Sequence, residues 1–381
     1  MRNYFIFALI GGLYLSLFFL SSQSAFPQPP TKKPPVQDGK IQFERLDRNQ
    51  DGKLTLDEIP VRGKGLFKRI DANGDGMITL NEHLQFRKQR FAQQRFAQQP
   101  RGNKQRGPRL SEGTEVTRDV AYIKNGHERQ KLDVYVPANA EVKLPLIVWI
   151  HGGGWRNGDK RSCPALYLLD KGYIVASINY RLSQDAVFPA QIQDCKAAIR
   201  YLKSHADQFH IDPNKVGVWG SSAGGHLVAL VGTSGGVAKL EYPQSSKSEF
   251  TSTVQAVCDY YGPTDFTKMN QQATIKGPID HDSADSPESK LIGGAIQENI
   301  EKAKAASPIT YVTKDDPPFL IVHGDHDPLV PVDQSKAFQK KLKETGVESE
   351  LVIVKGGGHG PFKSPEMLEK VKRFFDKRLK M

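Results

Sequence analysis

Along most of the chain beyond residue 110, apolar residues come in short unbroken runs rather than alternating singly with polar ones. The segments "KLDVYVP" (131–137), "LPLIVWIHG" (144–152), "YIVASINY" (173–180), "KVGVWGSS" (215–222), "VQAVCDYYG" (254–262), "PFLIVHGD" (318–325) and "ELVIVKGGG" (350–358) read as strands. A strand apolar on both faces belongs in the middle of a sheet covered on both sides. Between the runs, apolar residues recur every three or four positions in "PAQIQDCKAAIRYLKSHADQF" (189–209) and "VDQSKAFQKKLKETG" (332–346), which predicts amphipathic helices. Strands alternating with helices predict an α/β unit with a mostly parallel sheet over residues 110–381.

The first hundred residues have a different texture. Arg2 precedes an apolar run from Tyr4 to Leu20, followed by Ser21, Ser22 and Ser24. This is the layout of a secretory signal peptide over residues 1–25, cleaved near Ser24 or Ala25; an uncleaved membrane anchor is the alternative, and either predicts export to the periplasm or beyond. Residues 26–40, "FPQPPTKKPPVQDGK", predict an extended proline-rich spacer. Residues 87–109 contain the tandem "RFAQQRFAQQ" and form a basic, Gln-rich linker. Between His83 and Arg109 eight Arg or Lys occur with no Asp or Glu, which reads as a solvated segment and, secondarily, as a contact for an anionic surface. The 381-residue chain carries a net charge of +11, yet no nucleic-acid-binding motif accompanies it. Three cysteines, Cys163, Cys195 and Cys258, cannot all pair and read as buried thiols.

Residues 41–86 hold two near copies of one pattern, "DRNQDGKLTLDE" and "DANGDGMITLNE". In an EF-hand loop, oxygen ligands fall at positions 1, 3, 5, 7, 9 and 12, with glycine at 6 for the turn. The first loop offers Asp47, Asn49, Asp51, the Lys53 carbonyl, Thr55 and Glu58; the second offers Asp71, Asn73, Asp75, the Met77 carbonyl, Thr79 and Glu82. Both sets predict calcium. Leu54 and Ile78, at position 8 of each loop, predict a short strand pair coupling the sites. Only residues 59–70 separate the loops, and Pro60 and Gly63 interrupt them, so the pair resembles the short EF-hand modules of secreted bacterial proteins and predicts a structural or tethering role.

Candidate chemistry lies downstream. Gly220, Ser221, Ser222, Ala223 and Gly224 form G-x-S-x-G between a predicted strand and a helical run, the setting that exposes a serine hydroxyl at a sharp elbow. Such a hydroxyl needs a base, and the base needs an acid to fix its tautomer. With the chain order Ser, acid, His, the base is His359 in "KGGGHGPF", and the acid is Asp325 or Asp327 at the end of "PFLIVHGDHDPLVP". The one not used is expected to cap the following turn. His323, Asp325, His326 and Asp327 also form a metal-like cluster that nothing else completes. "HGGGW" (151–155) follows a strand as an oxyanion loop does, which assigns Gly153, Gly154 and the Ala223 N–H as donors. His226 reads as structural. Trp155 reads equally as pocket lining or packing, and residues 264–305 as a cap over the pocket.

The motifs "HGGGWRNGDK", "YRLSQDAVFPAQIQDCKAAIRYL", "GVWGSSAGGHL", "YYGPTDF", "HGDHDPLVP" and "GGGHG" resemble those of the α/β-hydrolase esterase and lipase superfamily, in particular its bacterial feruloyl and acetyl esterases. The resemblance spans residues 116–381. It implies an α/β-hydrolase fold, favours Asp327 as the acid, and implies hydrolysis of acetyl or feruloyl esters on polysaccharide or small molecules without a catalytic cofactor. A prolyl oligopeptidase-like peptidase shares the "HG-x-x-D-x-x-VP" motif, and a calcium-dependent adhesion or scaffold protein with an inert hydrolase fold is the reading outside enzymes.

Overall fold

The computed structural model describes residues 43–60, 65, 67–71, 74–84, 86, 110–138, 140–243, 249–275 and 277–381. The N-terminal apolar run, the proline-rich spacer, the basic linker and the expected ligand Asn73 lie outside these residues. The chain divides into two compact units, with the break between residues 104 and 105.

In the smaller unit, strands β1 (Lys53–Leu54) and β2 (Ile78–Thr79) pair antiparallel, with Leu54 opposite Ile78. Both side chains are fully buried and pack with Phe43, Ile59 and Phe67. Helical residues 43–46, the four-residue helix Phe67–Ile70 and residues 80–84 flank the loops. Among the described residues of this unit, five buried apolar side chains make a small core that supplies little hydrophobic stabilisation.

The larger unit is built on an eight-stranded sheet: β3 (Glu115–Ala121), β4 (Lys131–Val136), β5 (Leu144–Ile150), β6 (Ile174–Ile178), β7 (Ile211–Ser221), β8 (Ala256–Tyr260), β9 (Phe319–Gly324) and β10 (Ser349–Val354). Its spatial order is β10-β9-β8-β7-β5-β6-β4-β3. Strands β3 and β4 pair antiparallel with their neighbours; β4 meets β6 antiparallel, and the remaining pairs are parallel. The apolar runs end up in central strands because their alternate residues face two different cores. Leu146, Val148 and Ile150 of β5 join one cluster, and Ile147 and Trp149 join the other. The first core is covered by α1 (Ala190–Ser204), α2 (Ala223–Thr233) and the helix Val332–Glu344, the second by the 3₁₀ segment Pro164–Lys171 and the C-terminal helix Pro365–Leu379.

Residues 264–306 form short helices that include α3 (Pro287–Ile292) and α4 (Ile300–Ala306). Helix α5 (Val332–Glu344) ends two residues before the predicted limit. Helix α6 (Pro365–Leu379) starts at Ser364, whose hydroxyl accepts the Met367 N–H, and buries Val371, Phe375 and Leu379, four residues apart on one face. The pattern of apolar runs missed β3. None of its residues is buried, because it is an edge strand, and a bulge interrupts it between Thr117 and Val120.

Strand order dictates where a site can form. From β5 the chain moves outward to β6, then returns to place β7 on the other side of β5. The connections after β5 and β7 therefore diverge and leave a crevice at the carboxyl ends of these two strands.

Candidate active site

Both segments singled out for chemistry open at that crevice. Ser222 follows β7 at φ 57 and ψ −122, a backbone conformation that L residues adopt rarely. The turn is held by the Ser222 N–H donating to the Tyr260 carbonyl and the His226 N–H donating to the Ser222 carbonyl. Its glycines have steric causes. A Cβ on Gly220 would sit 2.3 Å from the Gly224 carbonyl oxygen, and one on Gly224 would sit 2.1 Å from the Ile150 oxygen.

The hydroxyl of Ser222 lies 2.9 Å from His359 Nε2, and His359 Nδ1 lies 2.7 Å from Asp327 Oδ2. A carboxylate only accepts, so Nδ1 carries the proton and Nε2 is left to accept from the serine. The other carboxylate oxygen of Asp327 accepts the N–H groups of Leu329 and Val330. Asp327 thus orients the His359 ring and also caps the following turn, the task expected of Asp325. Asp325 instead accepts from the His326 ring and the Gly356 N–H, tying the loop after β9 to the loop after β10.

His323 is a residue whose contribution the sequence reading missed. Fully buried on β9, it accepts from the Ser335 hydroxyl through Nδ1 and shares its Nε2–H between the Val330 carbonyl at 2.9 Å and Asp327 Oδ2 at 3.2 Å. Burial by itself raises the Asp327 pKa, but the hydrogen bonds from His323 and His359 outweigh it and hold the carboxyl well below its usual range. Tyr261, also unanticipated, lays its ring 4.6 Å from that of His359 at 60° and sets the height of the imidazole. "HGDHDPLVP" contained the signal for His323, read there as a metal-like cluster. The structure instead pairs His323 with Asp327 and His326 with Asp325.

The loop after β5 brings Gly153 (φ +114) and Gly154 (φ +58) beside the elbow. Among the described residues, the N–H groups of Gly153, Gly154 and Ala223 have no hydrogen-bond acceptor, so three donors stand ready for an anionic oxygen. The rest of "HGGGWRNGDK" anchors this loop. Lys160 is buried against Asp133 at 2.5 Å and Asp119 at 2.8 Å, and its N–H donates to Asn179. Trp155 packs: it is 2% exposed and donates its indole N–H to His226 Nδ1. His226 is structural, fully buried with Nε2 bonded to the Ala306 carbonyl, and burial pushes its pKa down to about 4.

The segment 264–306 reaches the site at two places. Pro287 lies 3.5 Å from where a Cβ on Gly154 would be, and Ala273, Ile275, Gly277 and His281 line a small cavity with Asp327 and Pro328.

In the smaller unit the first and last carboxylates of each loop accept hydrogen bonds from within their own loop. Asp47 accepts the N–H groups of Asp51 and Gly52, and Asp71 those of Gly74 and Gly76. Glu58 accepts from the N–H and hydroxyl of Thr55, and Glu82 likewise from Thr79. Gly52 and Gly76 adopt φ +79 and +81 at the turn. Among the described residues no three or more His, Cys, Asp or Glu side chains gather as a metal site. The EF-hand set is mixed, drawing on Asn, Thr and backbone carbonyl oxygens besides carboxylates. An all-oxygen set around a glycine turn suits a hard cation such as calcium.

The BD-FAE family matches residues 132–342, more than half of the chain, and an EF hand family matches residues 37–59 and 64–82. Esterase LipQ of Mycobacterium tuberculosis is 32% identical over 237 residues, which are 60% of this chain and 53% of that protein. The isoprenylcysteine alpha-carbonyl methylesterase ICME of Arabidopsis thaliana is 28% identical over 64% of this chain and 56% of its own length. The chain thus spans about half the length of the curated relatives it matches. Among solved structures, a truncated carbohydrate esterase from gut microbiota is similar with a TM-score of 0.65 and 34% identity, over 71% of this chain and 99% of that one. The esterase Est2 of Thermogutta terrifontis is similar with a TM-score of 0.55 and 26% identity, over 71% and 95%.

Proposed function

Since the chain belongs to the BD-FAE family, we propose that it is a serine esterase that hydrolyses carboxylic esters through an acyl-enzyme on Ser222. One observation carries the reading: Ser222 Oγ, the His359 ring and Asp327 Oδ2 stand in line at 2.9 and 2.7 Å beside three unengaged N–H groups. Ser222 Oγ attacks the ester carbonyl carbon as His359 Nε2 takes its proton. The oxygen that becomes negative lies against the N–H groups of Gly153, Gly154 and Ala223. His359 then returns the proton to the departing alkoxide, which leaves as the alcohol. Water repeats the sequence on the acyl-serine, with His359 as base, and releases the carboxylic acid. Asp327 stays ionised throughout and stabilises the imidazolium.

The substrate class we propose is acetyl or feruloyl ester on polysaccharide or on small molecules, with support from the likeness to a carbohydrate esterase over 99% of that chain. The apolar run Tyr4–Leu20 supports export. For the two EF-hand loops we propose bound calcium as a structural cross-link. Asp47, Asn49, Asp51, Lys53, Thr55 and Glu58 would hold one ion, and Asp71, Asn73, Asp75, Met77, Thr79 and Glu82 a second.

The test is hydrolysis of aryl acetate, longer aryl esters, methyl ferulate and acetylated xylan by the whole protein beside Ser222→Ala. Loss of about 10⁴-fold or more in kcat in the variant is expected. Activity that survives the substitution sinks the mechanism, and no hydrolysis of any ester sinks the esterase reading.

A further inference from the structure

We propose that Arg129 is a positioning residue for the oxyanion loop: through His151 it fixes the Gly152 carbonyl and so aims the Gly153 N–H at the developing oxyanion. The inference rests on the esterase reading.

Arg129 lies in the link between β3 and β4, a tip clamped by its neighbour Gln130. Gln130 accepts the His127 N–H and donates to Asp194 of α1, which is itself held by Arg181. From this tip the guanidinium reaches across to the loop after β5. Its Nε donates to the Tyr180 carbonyl at 2.9 Å, and its Nη2 donates to the Gly158 carbonyl at 3.0 Å and lies 3.2 Å from His151 Nε2.

A guanidinium offers only donors, so His151 Nε2 must accept, and the ring proton resides on Nδ1. That N–H donates to the Gly152 carbonyl at 2.8 Å. The ring cannot turn away. His151 is 3% exposed, stacked at 4.5 Å and 18° on Tyr180, whose hydroxyl bonds the His151 carbonyl. Burial pushes the His151 pKa down to about 4, with the Arg129 charge adding to it, so the ring is neutral at neutral pH.

A trans peptide is planar, with C=O and N–H opposed, so fixing the Gly152 oxygen sets the Gly153 hydrogen. This peptide borders the nucleophile: a Cβ on Gly152 would lie 2.6 Å from the Ser221 oxygen and 3.3 Å from Ser222 Cβ. Glycine at 152 and 153 gives the backbone no side-chain resistance to a peptide flip. The hydrogen bond from His151 is the restraint on that peptide, and Arg129 selects the tautomer able to form it.

The test uses the full chain and its Arg129→Leu, Arg129→Gln and Arg129→Lys variants. Active sites are counted by an aryl phosphonate, and binding of an aryl trifluoromethyl ketone is measured because its hemiketal oxygen occupies the same hole. For Arg129→Leu, kcat per titrated site is expected to fall about 10- to 100-fold with KM within about threefold, part of the 10²- to 10³-fold that one oxyanion donor is worth. Ketone affinity should fall by the same factor as kcat/KM, and Arg129→Lys should recover most of both. If Arg129→Leu does not fold, the Gln and Lys variants carry the test, with Gln expected below Lys. Wild-type kcat per titrated site in every folded variant would overturn the proposal, because the loss would then lie in the folded fraction. So would a fall in kcat that leaves ketone affinity unchanged. Both outcomes differ from failure of the esterase reading, which shows as activity retained in Ser222→Ala.

Discussion

The two units use the same chemical group in the same local way and reach opposite results. In the EF-hand loops, Asp47 and Asp71 sit near the surface and gather N–H groups from their own turn. In the larger unit, Asp327 also gathers two N–H groups from its own turn but is buried, with two imidazoles against its other oxygen. As proposed ligands, the surface carboxylates would offer their remaining lone pairs to a cation, whereas the buried one has its oxygens engaged by backbone N–H groups and imidazoles. Burial among such partners therefore makes the carboxylate an orienting charge. It works only because enough donors surround Asp327 to keep it ionised away from water.

Exchanging carboxylate for amide in each region puts this contrast to its sharpest test. Asp327→Asn should lower kcat by about 10⁴-fold, because an amide facing His359 Nδ1 permits the wrong tautomer. Asp47→Asn should leave kcat within about twofold while weakening calcium binding measured by titration calorimetry. Comparable losses of activity from both would erase the distinction.

A smaller effect is expected at His323, the second imidazole on Asp327. His323→Leu deprives the carboxylate of a buried donor and should reduce kcat about 10- to 100-fold, whereas His323→Gln keeps a donor near Nε2 and should recover much of it. Equal kcat in both would show that the contact with Asp327 does not matter.

Asp259 shows what burial does to a carboxylate with too few partners. It is fully buried on β8 and, among the described residues, accepts only the Gly262 N–H and has no partner for Oδ2. Burial pushes its pKa up to about 6, and the Gly262 hydrogen bond offsets this only in part. Its folded-state pKa thus exceeds the unfolded value near 4, so stability from this group is present below about pH 4 and is lost as pH rises to about 6. Asp259→Asn does not titrate. Its stability relative to the wild type should grow by about 1.4 kcal/mol per pH unit between about pH 4 and 6 and level off above. Denaturant melts at pH 4, 5, 6 and 8 measure it, and a pH-independent difference would assign Asp259 an ordinary pKa.

The smallest effect is expected from chelation. Among the described residues the EF-hand unit buries five apolar side chains and the hydrolase cores many times more, so the proposed calcium would supply much of the small unit's stability. Removing calcium should expose residues 41–86 to proteolysis, read by mass spectrometry, with esterase kcat changed by less than about twofold. A large fall in kcat would couple the units functionally.

The sharp turn at Ser222 and the glycine loop after β5 were legible because each is fixed by short-range steric demands. Only glycine fits where a Cβ would strike the Gly224 or Ile150 carbonyl, so the pattern is written into consecutive residues. The central strands were legible because both of their faces are buried. Strand β3 was not, since an edge strand with no buried residue has no apolar signature. The partners of Asp327 were legible only in part. Sequence order led to His359, but His323 entered as a metal-like neighbour, because nothing in "HGDHDP" tells which way the ring turns.

The sequence alone determined an alternation of strands and helices, two oxygen-rich glycine turns, and a serine, a base and two possible acids in the order an α/β-hydrolase requires. These follow from local sterics and periodicity, which act between residues close in the chain. Tertiary structure alone decided what depends on contacts between distant segments. It put the Asp327 carboxylate favoured by the family resemblance within 2.7 Å of His359, buried His323 behind it, packed Trp155 on His226, and carried Arg129 across to His151. Those choices rest on side chains more than twenty residues apart in most cases, or on which way a ring faces. They are settled only when the sheet brings the strand ends together and burial makes most polar atoms find partners within the protein.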